Sequence, residues 1–368
     1  MQSNVLKRHS FLLKVCFILI FSFSLSFSAT LHAKQPIKAL YIPLADHYAA
    51  LVAYERYREQ MKYANFEILK MKNWDLLRAY FQSGKADMAY VMSPLAMDMY
   101  SKQPNFKWIG LMHRDGNALA INKLIKDNID LPKKRINRKP DKQVAYALQA
   151  LHQSRKKSTQ IAMPHLLSTH SVVLYKYLKN YGIELTLTKN NKIPVEAIAI
   201  APPKAPAFIK GQSNRATPAA FEQSLPWADV VETGGFGYIA WYSKDVLPWE
   251  NGHVECIALA TDLAIKNKYL ATKEVMDFIK IAGTDIEQAR KIGGRALDEI
   301  VIIVQKHIPE HTRDAIIASL DPDLRVINYQ SLNIDEAGLK LIMNLALEAD
   351  ILKKSIDIEL FSDHRFDN

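Results

Sequence analysis

Ser168-Thr169-His170-Ser171-Val172-Val173-Leu174-Tyr175-Lys176-Tyr177-Leu178 reads as the start of a helix. Ser168 or Thr169 can accept hydrogen bonds from the free N–H groups of a first turn. Val173, Leu174, Tyr177 and Leu178 then recur at helical spacing. Asn180-Tyr181-Gly182 closes the segment with residues that suit a left-handed cap. Just upstream, Gln160-Ile161-Ala162-Met163-Pro164 reads as a short buried strand. A strand, a polar loop and a helix start in that order present free N–H groups and the positive end of a helix dipole to an anion. His170 lies in the first turn, within reach of the same point, and equally suits a solvated capping position.

The unit repeats along the chain. Ile37–Ile42 is a first strand, followed by the loop Pro43–Tyr48 and a helix with Ala49, Ala50, Val52, Ala53 and Tyr57 inward. Phe66–Met71 is a second strand, and Asn73 caps a helix from Trp74 to Phe81. Ala86–Met92 and Phe106–Met112 are further strands, with a helix opening at Ser93-Pro94 between them. Beyond the organising stretch, Glu196–Ile200 and Ala219–Phe221 are strands, and the chain from about residue 254 is mostly helical. Alternating strands and helices of these lengths argue for α/β lobes with largely parallel sheets. Crossing segments are expected near Leu119–Lys123 and Phe221–Trp227. They divide the chain into lobe I, residues 34–121 and 228–368, and lobe II, residues 122–227. Polar residues recur at strand ends: Asp46, Asn73-Trp74, Ser93, Gly116-Asn117, Ser168–Ser171 and Ser224. Ligands of open α/β sheets bind beyond the carboxyl ends of the strands, and two such lobes form a cleft that closes by hinge motion.

Composition narrows the class. The 368 residues are 49% hydrophobic and 23% charged, the balance of a soluble globular chain with a sizeable core. Residues 1–33 read as a secretion signal: Lys7, Arg8 and Lys14 lead an apolar, serine-rich run, and Leu31-His32-Ala33 suits cleavage. Removing the signal leaves Cys256 alone, so no internal disulfide is expected. The formal charge of +10 falls by three with the signal and stays mildly basic. No arginine-rich run interleaves with aromatics, so nucleic acid is not an expected partner. Lys133-Lys134-Arg135 and Arg155-Lys156-Lys157 read as a solvated face.

Taken together, these segments resemble the periplasmic binding proteins of the nitrate, bicarbonate, sulfonate and taurine type that feed ABC importers. The resemblance spans about residues 37–270. Tyr41–Asp46 looks like the family's first strand and loop, Asn73–Arg78 like its Ser-Trp segment, and Gly84–Ala89 like its Gly-Glu-Leu-Asp-Ala-Ala turn. Asp115-Gly116-Asn117-Ala118-Leu119 is similar to its crossing segment, Ser168-Thr169-His170 to its Ser-Met-His, and Pro202-Pro203 to its Pro-Pro. Leu225-Pro226-Trp227 through Gly237 is similar to its Glu-Pro-Trp and Gly-Ile-Gly segments. The resemblance implies a two-lobed type II fold of periplasmic binding proteins with a hinge cleft. It implies a small-anion ligand, an ABC permease as partner, a periplasmic location and a monomeric protein without cofactor. It carries pocket roles onto Trp74, Asn117, His170 and Ser224. Asn117 stands where Gln is usual for nitrate, and Leu225 replaces the Glu of Glu-Pro-Trp.

The residues themselves agree with an anion pocket. A desolvated anion needs several directed donors, and His170, Asn117, Ser93, Ser224, Ser168 and loop N–H groups supply them. The Trp74 indole can pack against a planar anion, though it suits a core position equally well. Asp46 can cap the following helix or face the ligand. Neither Gly-x-Ser-x-Gly nor His-Glu-x-x-His occurs, and no Cys/His grouping is close in sequence, so no catalytic or metal-ligating set is expected. Cys256 reads as a small core residue. Two further functions fit the same scaffold: binding or synthesis of a thiamine-precursor pyrimidine, and ligand sensing beside a membrane receptor.

Overall fold

Strand β1 (Gln35–Tyr41) is exposed at its start and fully buried at its end. Its apolar residues therefore aim the following loop into the interior. The computed structural model describes residues 33–367; the expected secretion signal falls outside them but for Ala33. From Gln35 onward the chain forms one compact unit. β2 (Ala64–Lys70), β3 (Met88–Met92) and β4 (Phe106–Leu111) follow in the first sheet. The chain then passes through the short β5 (Arg114–Asp115) into a second sheet with β6 (Asn117–Ile121), β7 (Thr159–Met163), β8 (Leu185–Thr186), β9 (Val195–Ala199), β10 (Ala219–Ser224) and β11 (Tyr238–Tyr242). It returns to the first sheet as β12 (Cys256–Thr261), and β13 (Ile327–Asn328) pairs with β5.

The first sheet has the order β2-β1-β3-β12-β4, and the second β11-β6-β10-β7-β9-β8. One rule covers both. Three neighbouring strands run parallel, β2-β1-β3 in one sheet and β9-β7-β10 in the other. One strand arrives from the opposite half of the chain and runs antiparallel to its neighbours, β12 in the first sheet and β6 in the second. The sheets are therefore mixed, the second mostly parallel as the sequence suggested, because a strand entering from the other sheet runs the opposite way. β3, β6 and nearly all of β12 are buried along their whole length, as strands covered on both faces are.

This topology moves the expected boundaries. β6 was expected in lobe I and β11 with it, but both hydrogen-bond within the second sheet. The expected crossings at 119–123 and 221–227 lie largely in β6 and β10, which pair antiparallel with Ser224 opposite Asn117. The connections between the sheets are residues 112–116 and 243–255. In the first, Gly116 has φ of +95°, and a Cβ there would meet the His113 ring at 3.0 Å. Only glycine lets the backbone turn this close to that imidazole.

The C-terminal third is helical after β12, as expected. Tyr269–Ile292 packs on the helix Tyr48–Tyr57, beside the first sheet. Helix Glu336–Glu348 packs on Ser93–Lys102 and also on Thr169–Lys179, so it touches helices that follow strands of both sheets. Among the described residues no helix is long and apolar enough to cross a membrane.

Candidate functional site: a buried polar cluster between the sheets

The strand ends deliver the polar loops to one place. Asp46 sits in the turn Ala45–His47 after β1, Ser93 opens the helix after β3, and His113 follows β4. From the second sheet come Ser168, Thr169 and His170 after β7, and Ser224 at the end of β10 opposite Asn117. Glu255 and Cys256 enter at the start of β12, next to the end of β3. The backbone fastens them there: Ser93 N–H donates to the Glu255 carbonyl (2.9 Å) and Met112 N–H to that of Cys256 (3.0 Å). All of these side chains are fully buried.

Ser168 caps the organising helix, as expected: its Oγ accepts the Ser171 N–H at 3.1 Å. Asn73 likewise caps the helix Trp74–Gln82 by accepting the Leu76 N–H. Asp46 does not cap; its Oδ2 accepts the Ser224 hydroxyl at 2.9 Å. Ser93 Oγ lies 3.3 Å from Thr169 Oγ1, joining the two sheets' loops. Trp74 is buried in the core beside His47, ring centroids 6.2 Å apart, and its indole N–H has no partner. Asn117 opens strand β6, with both amide atoms unpartnered.

Sequence reading missed half of the cluster. His113 Nε2 lies 3.2 Å from Glu255 Oε2 and 3.5 Å from Asp46 Oδ2, without a well-directed hydrogen bond to either. His170 Nδ1 is 3.4 Å from Glu255 Oε1, and its Nε2 is 3.0 Å from Ser224 Oγ. Glu222, in β10, is buried with both carboxylate oxygens unpartnered. His47 Nε2 is 3.3 Å from Cys256 Sγ. No metal-ligating set was expected, yet Asp46, His113, Glu255 and Cys256 bring one ligand atom each within 4.8 Å of one another. Positions 46, 113, 255 and 256 form no spacing motif; only the topology joins them. The available signal was Asp46-His47, a pair of polar residues at a strand end.

Burial and mutual charge set the protonation states. Burial opposes an imidazolium at His113, but Asp46 and Glu255 beside it outweigh this and push it up to about 10. Burial would raise Asp46, yet His113, His47 and His170 hold it below the usual carboxylate range. Burial and then Asp46 raise Glu255 to about 7 against the pull of His113. Burial, Glu255 and Asp46 keep Glu222 protonated well above the usual range. Burial lowers His47 to about 4 and His170 to about 3, so both are neutral. The largest charges acting on Asp46, His113, Glu255 and Glu222 come from within the cluster, with no lysine or arginine among them.

Ser224, His170 and Glu255 line up like a nucleophile, a base and its orienting acid, but the protons run the wrong way. The Asp46 carboxylate can only accept, so the Ser224 proton points to it. The serine oxygen must then accept an N–H from His170 Nε2. An imidazole protonated on the face toward the serine cannot remove the serine's proton.

Comparison with known proteins fits this geometry. The model of the NMT1-like family matches residues 32–289. The chain belongs to the NMT1-like family. No curated protein matches it significantly. Among solved structures, this NMT1-like chain is similar to the ligand-binding component of an ABC-type import system from Staphylococcus aureus with zinc bound. The TM-score is 0.70 at 20% identity, covering 90% of this chain and 98% of that one. It is also similar to the periplasmic nitrate-binding protein NrtA from Synechocystis PCC 6803, with a TM-score of 0.73 at 16% identity over 90% and 87% of the two chains. A third is the alkanesulfonate-binding protein SsuA from Xanthomonas axonopodis pv. citri bound to MOPS, with a TM-score of 0.64 at 10% identity over 90% and 99%. The second and third are of groups that the sequence resembles, and all three share the fold of periplasmic binding proteins.

Proposed function

We propose that this NMT1-like protein is an exported solute-binding protein that holds a small ligand in the buried cluster and hands it to an ABC importer. One observation carries the reading. Loops from both sheets converge on polar atoms that are buried and unpartnered: Asp46 Oδ1, both nitrogens of His113, both amide atoms of Asn117, His170 Nδ1, and the carboxylate oxygens of Glu222 and Glu255. Each such atom costs free energy when left unpaired, so a fold gathers them where a ligand supplies the missing partners. The fold itself supports the reading, because it places the carboxyl ends of five strands and the starts of two more around one region between two sheets. Opening of the lobes about residues 112–116 and 243–255 gives the ligand its way in. The reading requires no catalytic step, in keeping with the proton order at Ser224.

The charge pattern bears on the ligand. The resemblance implies a small anion of the nitrate, bicarbonate or sulfonate class. His113 is the one cation of the cluster, and Asp46 and Glu255 already neutralise it. The unmet demand is for donors and positive charge, so the cluster favours a cation or an N–H-rich neutral solute over a free anion. An aminopyrimidine is the second reading, favoured by the Trp74 indole and the free Asn117 amide beside protonatable carboxyls. Calorimetric titration of the mature protein with nitrate, bicarbonate, taurine, a divalent metal salt and a neutral aminopyrimidine tests this order. Saturable binding of the metal or the aminopyrimidine, tighter than any anion, is the expected result. Tight nitrate or taurine binding with no response to the other two restores the anion.

A further inference from the structure

Four donors of the cluster form a subset with its own chemistry. Asp46, His113, Glu255 and Cys256 come from three separate connections and bring a carboxylate oxygen, an imidazole nitrogen, a second carboxylate oxygen and a sulfur within 4.8 Å of one another, all buried. We propose that these four residues hold a divalent transition-metal ion, which is then the cationic ligand of the cluster. The inference rests on the reading of the cluster as a ligand site and names its occupant.

The geometry suits a tetrahedral ion. Bonds of roughly 2.0–2.3 Å place neighbouring donors about 3.3–3.8 Å apart. His113 Nε2 lies 3.2 Å from Glu255 Oε2 and 3.5 Å from Asp46 Oδ2. The donors have free valences: Asp46 Oδ1, both Glu255 oxygens and both His113 nitrogens lack hydrogen-bond partners. A mixed sulfur, nitrogen and oxygen set favours zinc-like ions over calcium or magnesium, which take oxygen ligands.

An outer layer orients the donors. Ser224 Oγ donates to Asp46 Oδ2 at 2.9 Å, the oxygen nearest His113, and so holds the carboxylate in place. His47 Nε2 lies 3.3 Å from Cys256 Sγ. The Cys256 and Glu255 backbones are fixed by hydrogen bonds from Met112 and Ser93. Binding the ion releases the thiol proton of Cys256 and the second imidazole proton of His113 to solvent.

The test starts from mature protein stripped with a chelator and titrated with Zn²⁺ and, separately, Co²⁺. One ion per chain is expected, with a sulfur-to-cobalt charge-transfer band in the near ultraviolet. Cys256→Ser should abolish that band, and His113→Gln should weaken zinc binding by on the order of 100-fold, at least what the loss of an outer-layer partner costs elsewhere. Absence of stoichiometric Zn²⁺ and Co²⁺ binding to the wild type overturns the site, and so does a cobalt band that survives Cys256→Ser. The wild-type titration is decisive even if a variant fails to fold. Stabilisation by the organic solutes without metal binding removes the ion and keeps the solute-binding reading. Failure of every solute and both ions removes both.

Discussion

Glu287 and Arg290, in the helix Tyr269–Ile292, are buried almost as deeply as Asp46, His113 and Glu255, but they are finished where the central cluster is not. Arg290 donates to Leu320 O (3.1 Å), Asp321 O (3.1 Å), Ile327 O (2.7 Å) and Glu287 Oε1 (3.0 Å). Glu287 Oε1 also accepts the Tyr329 N–H at 3.0 Å. That cluster ties the C-terminal segment to the helix that packs beside the first sheet, and it asks nothing of a ligand. The central cluster keeps its partners open across two sheets. Burial of charge is thus no mark of function; burial of charge without partners is.

The largest expected effect lies in the finished cluster. Arg290→Met strands Glu287 and three carbonyls, so it should destabilise the protein by about 3–5 kcal/mol, read as a lower urea midpoint. A midpoint within error of the wild type would show that the pairing is not what holds this region. In the open cluster the larger effect should fall on binding. His170→Ala removes a directed partner and should weaken the preferred ligand by about 1.5–3 kcal/mol if that bond is charge-assisted. Unchanged affinity by calorimetry would move the ligand away from β7 and β10.

His311 offers an intermediate case. It is buried, hydrogen-bonded to Tyr48 (2.8 Å) and packed edge-on against Trp227, and burial lowers it to about 3. The unfolded chain therefore binds this proton, and the folded chain does not, between about pH 6.5 and 3. Stability should rise with pH through that window and level off above it, and acid should remove it at up to about 1.4 kcal/mol per pH unit for this one proton. Asp46 and Lys70 also act on the ring, so the comparison to make is His311→Gln against wild type. A denaturation series from pH 7 to 4 should give the variant the shallower loss; parallel curves would place the proton elsewhere. The smallest effect belongs to Glu222→Gln. Glu222 is already held neutral, so the change should alter unliganded stability by less than about 1 kcal/mol, in contrast to Arg290→Met. A loss as large as that of Arg290→Met would make Glu222 structural.

The parts of the fold legible in the sequence are those written locally. Ser168 and Asn73 announce their helices because a cap needs only its own first turn. β1, β2, β3 and β7 show as short apolar runs between polar loops. β12 was hidden inside a region read as helical, because Cys256-Ile257-Ala258-Leu259-Ala260-Thr261 is a short apolar run, and such a run fits a buried helix as well as a strand. β11 was obscured by the glycines before it. The first crossing lies a few residues before its expected place, at 112–116, and the second well beyond it, at 243–255 rather than 221–227, because pairing between β6 and β10 is a long-range fact. Of the expected site residues, Asp46, Ser224 and His170 are joined by hydrogen bonds, Asn117 pairs opposite Ser224, Ser93 meets Thr169, Ser168 caps the helix that carries His170, and Trp74 packs beside His47. His113, Glu222, Glu255 and Cys256 were not legible, since nothing near them in sequence distinguishes them from core or loop residues.

The central claim is that the unpartnered atoms between the sheets are a ligand's partners. Thermal unfolding tests it most directly, with wild type, His170→Ala and Glu255→Gln each measured alone and with the tightest solute or metal from the titrations. Ligand at a hundredfold excess over its dissociation constant should stabilise the wild type by about 2.7 kcal/mol. That corresponds to a rise of several degrees in Tm, at roughly 2–4 °C per kcal/mol for slightly smaller domains. The account predicts that both variants lose most of this rise while keeping a cooperative transition. A rise that survives undiminished in both variants would contradict it.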